Sequence, residues 1–424
     1  SMGDAFGTGI AIADLDSDGR DDLIVLQDTD SSETAGGYGL ASIGLGSSLS
    51  TTPSVAASMD FLVRTTSSSG SLDSVGTVSD LNGDGGPELL LGAREFDGGM
   101  GGVWVLTGAD LVSSAQVDLD DASWLLWGIG GGFGHGVMDG GDMDGDGLPE
   151  ILVGAPDQAG KVYIFSGAAL SSAAVLLSED ADAVWHGETS SDGLGTAMAA
   201  MGDVDGDGLS DVGVSAPGAA ELAGRISLVL GSTEFSTDTI DGVSWGVLEG
   251  DDPEDEAGTA LSTGDIDGDG SSDLIIGAPM QITQAGRVHG VAGQDLVAGS
   301  HFLGDVAAVS YTGPTVFGYA GSALSASGDV DGDGLDDILI GGPGDSTGGS
   351  DGGAAWLVLS GWTGARALAD SDASFWGGSA EDRVGDSVAL GDMNGDGLSD
   401  LIIGVPGEDV FSGEGAIYIG YSGY

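Results

Sequence analysis

The sequence predicts an all-β fold, a seven-bladed β-propeller with four-stranded antiparallel blades. Three observations predict it. A nine-residue acidic loop of the form D-x-[DN]-x-D-G-x-x-[DE] begins at Asp14, Asp80, Asp142, Asp203, Asp265, Asp329 and Asp392, at spacings of 61 to 66 residues. Around each loop the same order of short apolar runs returns, bounded by Gly, Asp, Ser or Pro. No stretch has the length or period of a helix. A length of 424 residues alone suggests two or three domains, but a repeat that fills the chain overrides that prior. Residues 1-424 are therefore expected to form one propeller.

Each unit opens on a short run with a glycine near its start, as in Phe6-Gly7, Phe133-Gly134, Leu194-Gly195 and Val384-Gly385. The acidic loop follows, and then an apolar run ending in small residues and proline, such as ILVGAP from Ile151 or LIIGAP from Leu274. Third comes a glycine with an alternating segment, as in GKVYIFSG from Gly160 and GAIYIGYSG from Gly415. A fourth segment carries an aromatic: Trp124, Trp185, Trp245, Tyr311 and Trp376. These aromatics are read as one repeat position, packed between blades. Val, Ile and aromatic enrichment between turn residues marks every run as a strand, and the 83 glycines fit many tight turns.

Four short strands per unit match the radial design of a propeller. An open solenoid would need polar capping repeats, whereas the first and last repeats resemble the middle ones. The blades are expected at approximately 3-65, 66-129, 130-189, 190-251, 252-314, 315-379 and 380-424. The last unit stops after its third strand, and Ser1 to Ala5 alone precede Phe6. The last blade is expected to lack its outer strand, or to close with a strand lying upstream. The opening Ser1-Met2 resembles the remnant of a cleaved tag, which leaves room for a leader or further domains in the natural chain.

The formal net charge is −61, from 69 acidic residues against 8 Lys plus Arg. Phosphate recognition requires cationic side chains, so no nucleic-acid partner is expected, and an anionic membrane surface is disfavoured. No apolar run approaches a membrane span, so no membrane insertion is expected. Hydrophobic residues nevertheless make up 41% of the chain, which a disordered acidic chain would lack. Cysteine is absent, so neither disulfides nor thiolate metal sites are available.

The loops carry the chemistry. In the third, the carboxylates of Asp142, Asp144 and Asp146 fall on one side of a tight turn, and Gly147 lets the chain curl around an ion. The carbonyl of Leu148 and the carboxylate of Glu150 complete the shell. The equivalent sets are Asp14, Asp16, Asp18, Arg20 and Asp22; Asp80, Asn82, Asp84, Gly86 and Glu88; and Asp203, Asp205, Asp207, Leu209 and Asp211. The remaining three are Asp265, Asp267, Asp269, Ser271 and Asp273; Asp329, Asp331, Asp333, Leu335 and Asp337; and Asp392, Asn394, Asp396, Leu398 and Asp400. In each set the fourth residue offers its backbone carbonyl.

Hard oxygen donors in a flexible loop select Ca2+, up to seven ions. An EF-hand would place its last acid at position twelve between helices, whereas here it stands at position nine before a β-run. Solvated turns also read DGDG, but 26 acids and 2 asparagines at 28 side-chain positions argue against chance. Two carboxylates about 4 Å apart repel by about 4 kcal/mol at an effective dielectric near 20. Seven Ca2+ would bring the formal charge from −61 to −47; the remaining acidity is read as a solubilising surface.

These residues resemble the FG-GAP repeats of the integrin α-subunit N-terminal propeller and its bacterial relatives. Phe6-Gly7 and Phe133-Gly134 match the first signature, and Gly154-Ala155-Pro156 and Gly277-Ala278-Pro279 match the second. Repeat one departs with Leu26-Gln27-Asp28, repeat two with Gly92-Ala93-Arg94 and with Asp73 at the FG glycine, and repeat four with Ser215-Ala216-Pro217. Asn82 and Asn394 each remove one negative charge, so their loops are expected to bind more weakly.

The resemblance implies a calcium-binding, extracellular or cell-surface adhesion module of bacterial origin, a monomeric part of a larger protein. Its ligand, protein or glycan, would bind the face opposite the calcium loops. Candidate loops there are QDTDSSETAGG from Gln27, GDDPEDEAG from Gly250 with Asp251, Asp252, Glu254, Asp255 and Glu256, and GDSTGGSDGG from Gly344. A lectin using its eight tryptophans is the alternative. A polysaccharide-active enzyme is the third reading, but His135, His186, His289 and His301 lie at unrelated repeat positions and form no recognisable catalytic motif. The chain is expected not to be an enzyme.

Overall fold

The computed structural model describes residues 5–28, 40–49, 59–64, 71–111, 116–170, 173–361, 363–407 and 415–423. Most of the QDTDSSETAGG loop lies outside them. The described residues form seven sheets, one per acidic loop. In blade three, Gly136–Asp139, Ile151–Ala155, Lys161–Phe165 and Ala183–His186 pair antiparallel in sequence order. Its second strand is buried throughout, as are Glu88–Ala93, Asp273–Ala278 and Asp400–Val405. A blade has a neighbour on each face, so these strands read as continuous apolar runs rather than alternating ones. The core is correspondingly divided into layers between blades; one joins Val162, Ile164 and Trp185 of blade three to Val212 and Val214 of blade four.

The expected four strands understate five of the blades. Each of the first five sheets carries a fifth strand, parallel to the fourth and supplied by the next unit: Gln116–Asp118, Val175–Leu177, Asp238–Thr239, Gly299–Phe302 and Gly364–Ala367. These pieces are two to four residues long, too short to leave a periodic signal. Among the described residues blade six has four strands, and blade seven has three, Val388–Gly391, Asp400–Val405 and Ala416–Gly420, as the sequence leads one to expect.

The recurrent aromatics do not share one position. Trp185, Tyr311 and Phe375 each pair with the second residue of strand three, Val162, Val288 and Ala355. Trp376 lies one residue beyond, Trp124 pairs with Val105, and Trp245 precedes its strand. Side chains alternate along a strand, so an offset of one residue turns a ring to the opposite face.

The signature glycines mark where blades touch. A Cβ at Gly154 would stand 2.2 Å from the carbonyl oxygen of Gly195 in the next blade, and one at Gly277 would stand 2.0 Å from that of Gly321. Within a blade, the FG glycine N–H donates to the GAP glycine carbonyl, as from Gly134 to Gly154 at 3.1 Å. Asp73 keeps this bond to Gly92 at 2.8 Å, so the departure in repeat two preserves the backbone contact. The ring closes through the same joint, where Ser387 Oγ of blade seven donates to the Gly7 carbonyl at 2.8 Å.

Gly154→Ala and Gly277→Ala are each expected to destabilise the fold by about 1 to 3 kcal/mol through overpacking against the next blade's backbone, read as a lower urea midpoint with an unchanged m-value.

Candidate functional site

Each acidic loop joins strands one and two of its blade. Its shape is set by its own carboxylates. The first-position Asp accepts from the sixth-position glycine N–H in all seven loops, at 2.7 to 3.1 Å. The fifth-position Asp accepts from the seventh residue's N–H, at 2.8 to 3.1 Å, which holds Arg20, Gly86, Leu148, Leu209, Ser271, Leu335 and Leu398 in place. Gly147 takes φ +90 with open space around its missing Cβ, so the turn requires glycine for backbone conformation alone.

The ninth-position acid is the buried member. Asp22, Glu88, Glu150, Asp211, Asp273, Asp337 and Asp400 are all buried. Each accepts the second-position N–H at 2.7 to 3.1 Å. In the five loops that end in Asp, the acid's other oxygen accepts an N–H from just after strand three: Gly46, Gly231, Gly293, Ser360 and Ser422, at 2.7 to 2.9 Å. One carboxylate thus ties the loop to the opposite hairpin of its blade. In the two Glu loops the longer side chain spends that oxygen differently. Glu88 Oε1 accepts from Asn82 Nδ2 at 2.6 Å, and Glu150 Oε1 has no hydrogen-bond partner although it is buried.

In the first five loops three carboxylates bring oxygens within 4.8 Å of one another: Asp14, Asp16 and Asp22; Asp80, Asp84 and Glu88; Asp142, Asp144 and Asp146; Asp203, Asp205 and Asp211; Asp265, Asp267 and Asp269. An all-oxygen, multiply anionic donor set, with the unpartnered Glu150 Oε1 beside it, fits a hard divalent cation. Burial raises the ninth-position acids above the usual carboxylate range: Asp22 and Glu88 to about 7, Glu150 to about 8, Asp273 and Asp337 to about 6. Neighbouring loop carboxylates push the same way, and the backbone hydrogen bonds oppose them. Asn82 and Asn394 instead donate their amide nitrogens to Glu88 and Asp400, which lowers the demand for a cation in those loops.

Loops are also tied around the ring, a connection the sequence does not reveal. The eighth-position N–H of one loop donates to the first-position carbonyl of the preceding loop: Ser210 to Asp142, Asp336 to Asp265, Ser399 to Asp329 and Asp21 to Asp392, at 2.8 to 3.0 Å. In two of these links the eighth-position side chain joins in, Asp336 accepting from the Asp265 N–H and Asp21 from the Asp392 N–H, each at 2.8 Å.

Because the strands alternate in direction, connections from strand two to three and from strand four to the next blade lie at the other end. There a cavity of about 570 Å³ opens among blades four, five and six, lined by Leu222, Pro253, Glu254, Asp255, Glu256, Met280, Ile282, Thr283, Gln284 and Phe317. Of the expected acidic cluster, Glu254, Asp255 and Glu256 reach it. Asp251 instead accepts from the Gly304 N–H at 2.7 Å. Leu222, Ile282 and Phe317 are exposed. Sequence reading did not select them, although large apolar residues amid Gly- and acid-rich loops are a usable signal.

A seven-bladed propeller with an acid-lined loop between the first two strands of every blade is the class that fold and site define. Residues 137–165, 257–291, 320–358 and 384–419 match the FG-GAP repeat family, and the chain is an integrin-like FG-GAP propeller. The matched spans fall in units three, five, six and seven. The chain is 34% identical over 168 residues to Integrin alpha-PS2 of Drosophila melanogaster, covering 38% of this chain and 11% of that protein. It is 29% identical over 220 residues to Integrin alpha pat-2 of Caenorhabditis briggsae, covering 48% and 17%. Phosphatidylinositol-glycan-specific phospholipase D of Rattus norvegicus matches at 33% over 156 residues, covering 34% and 18%. The chain thus spans less than a fifth of the length of these relatives. Among the described residues no helix is long and apolar enough to cross a membrane.

Two outcomes follow for the cation-free protein. The ninth-position acids bind protons more tightly when folded, so their stabilising contribution is complete below about pH 4 and is lost as pH rises through about 6 to 8. Thermal melts in chelator are expected to fall across that window. Glu150→Gln removes one buried charge, so in chelator at about pH 8.5 it is expected to melt above the parent, with the difference closing at about pH 5.

Proposed function

We propose that this chain is a non-catalytic, extracellular recognition module whose acidic loops bind Ca2+ and whose ligand occupies the opposite face. The observation that carries the recognition reading is backbone strain. Seven of the ten residues lining the cavity, Leu222, Glu254, Glu256, Ile282, Thr283, Gln284 and Phe317, have φ between 52 and 70°. A left-handed conformation is a genuine outlier for the β-branched Ile282 and Thr283. Each such residue stores on the order of 1 to 3 kcal/mol, and strain of this kind collects at binding and switching surfaces.

The exposed apolar side chains beside Glu254 and Glu256 suit a protein ligand that offers an apolar group next to a basic one. A lectin would place aromatic rings at its pocket, and here the aromatic is Phe317 alone. The relationship to integrin α-chains supports adhesion. The phospholipase D relationship raises a hydrolase reading. The histidines argue against it, since His289 is buried on the third strand of blade five with Nε2 3.1 Å from Gln281 Oε1, and burial lowers it to about 4.

Calcium is the cation the loops favour. Magnesium demands a tighter octahedron and gives up its water reluctantly. A cation that binds the folded loops and hardly the unfolded chain stabilises by linkage. Excess chelator is expected to lower the melting temperature, and Ca2+ rather than Mg2+ to restore it. An unchanged melt in chelator would sink the calcium reading. Ile282→Gly relieves strain and trims the cavity wall. It is expected to melt no lower than the parent yet to lose capture of immobilised basic surface proteins at least about tenfold; undiminished capture would remove the cavity from the account.

A further inference from the structure

The chain holds two asparagines, Asn82 and Asn394, and each stands at the third position of an acidic loop with a glycine directly after it, Gly83 and Gly395. In the other five loops an aspartate fills that position. An asparagine followed by glycine carries its own reaction, because no Cβ screens the next peptide nitrogen from the side-chain carbonyl. The fourth-position glycine is present for a different reason. It takes φ +78 at Gly83 and +76 at Gly395, in the left-handed region that glycine adopts without strain. The turn of the loop thus creates a reactive pair wherever asparagine replaces aspartate.

Loop two arranges the groups for that reaction. The Asp84 N–H donates to Asn82 Oδ1 at 2.7 Å, a local turn that folds the side chain over the Gly83 peptide and polarises the carbonyl. The Gly83 N–H donates to Asp80 Oδ1 at 2.6 Å, so a proton acceptor already faces the nucleophilic nitrogen. The leaving nitrogen, Asn82 Nδ2, donates to Glu88 Oε1 at 2.6 Å and to Asp84 Oδ2 at 3.0 Å. Asn82 and Gly83 are exposed, and the space where a Cβ of Gly83 would stand is open.

Loop seven holds its asparagine differently. The Gly395 N–H again donates to the first-position Asp, Asp392, at 2.7 Å, but the Asp396 N–H donates to that same oxygen at 3.1 Å. Asn394 is half-buried, with Nδ2 3.3 and 3.2 Å from the two Asp400 oxygens. Arg20 of loop one crosses Gly395, its Cγ 3.0 Å and its Nε 3.3 Å from where a Cβ would stand. Leu209, Leu335 and Leu398 cover Gly145, Gly268 and Gly332 of other loops in the same way, at 2.6 to 3.1 Å. Gly83 has no such cover.

We propose that Asn82 is a self-modification site, losing its amide to the Gly83 nitrogen, and that Arg20 screens Asn394 from the same reaction. The Gly83 nitrogen bonds to Asn82 Cγ and the Cγ–Nδ2 bond breaks. The proton that Gly83 loses is taken up by the departing nitrogen, which leaves as ammonia, and a cyclic imide remains. Water then opens the ring, its hydroxyl going to a carbonyl carbon and its hydrogen to the ring nitrogen. Opening at Cγ gives an aspartate at position 82 and the acidic set that the other five loops carry. Opening at the main-chain carbonyl gives isoaspartate, whose extra backbone methylene spoils the turn. The gain in cation affinity at the aspartate form rests on the calcium reading above, whereas the conversion does not.

The test keeps the folded full chain in chelator, in mildly alkaline buffer below its melting temperature, and follows both asparagines by peptide mapping with isoaspartate detection. Asn82 is expected to convert at least about tenfold faster than Asn394. Arg20→Gly adopts the residue that loop two has at that place, Gly86, and is expected to speed conversion of Asn394 at least about threefold. In loop one Ser17 holds the fourth position at φ 58, so Gly83→Ser keeps the loop while its Cβ screens the nitrogen. It is expected to slow Asn82 at least about tenfold, with circular dichroism showing that the fold is kept. Three results would overturn the proposal: Asn82 intact after a synthetic Asp80–Glu88 peptide has converted, equal rates at the two asparagines, or no effect of Arg20→Gly on Asn394. A Ca2+ titration of Asn82→Asp reads the calcium part separately. Tighter binding than the parent is expected, and unchanged binding would overturn the gain in affinity but not the conversion.

Discussion

The ninth-position carboxylate of each loop sits between two opposing forces. Its oxygens accept backbone N–H groups, an arrangement worth about 1.5 to 3 kcal/mol for a charged acceptor. It has also been withdrawn from water beside two or three other acids, and that penalty amounts to several kcal/mol per ion. The upward displacement of Asp22, Glu88, Glu150, Asp273 and Asp337 shows that desolvation and repulsion win when nothing cationic is near. A divalent ion among the loop oxygens reverses the balance, because it turns mutual repulsion into shared attraction. What then becomes rigid is more than a turn: the same carboxylate holds the second-position backbone, and in five blades it holds the exit of strand three. Four main-chain hydrogen bonds join successive loops, so ordering one loop favours order in the next.

The two faces of the disc divide the labour. The loop face is nearly uniform, since its chemistry must be repeated wherever a blade is pinned. The opposite face is irregular, and the left-handed residues gather there between blades four and six. Strained backbone persists only where its surroundings over-determine it. Cross-blade bonds such as Glu256 N–H to the Leu222 carbonyl at 2.8 Å and Tyr319 N–H to the Gln284 carbonyl at 3.0 Å supply that restraint.

Much of this was legible in the sequence, because spacing and side-chain type both carried information. The seven loops, the strand runs between GAP-like endings, and the three-stranded last blade could all be read from residue order. The parallel fifth strands could not, since pieces such as Asp238–Thr239 are too short to show a period. The register of the aromatics was misread for a related reason. Trp376 and Trp185 occupy similar places in the sequence repeat, yet one residue of offset turns them to different faces. The links between successive loops run through backbone N–H and carbonyl groups, and the two that add a carboxylate, Asp21 and Asp336, place it at the eighth loop position, outside the repeated acidic pattern. The FG and GAP glycines were recognised as signatures, but their physical cause, the approach of one blade's carbonyl to the next blade's Cα, emerges only in three dimensions.

The account stands or falls on whether the loops hold calcium. Equilibrium dialysis of the full chain against Ca2+ at about pH 7.5 would measure this directly. The account predicts saturation near seven ions per chain, the sites of Asn82 and Asn394 filling last because their amides already serve the neighbouring acids. Binding of less than about one ion per chain at millimolar free Ca2+ would contradict it.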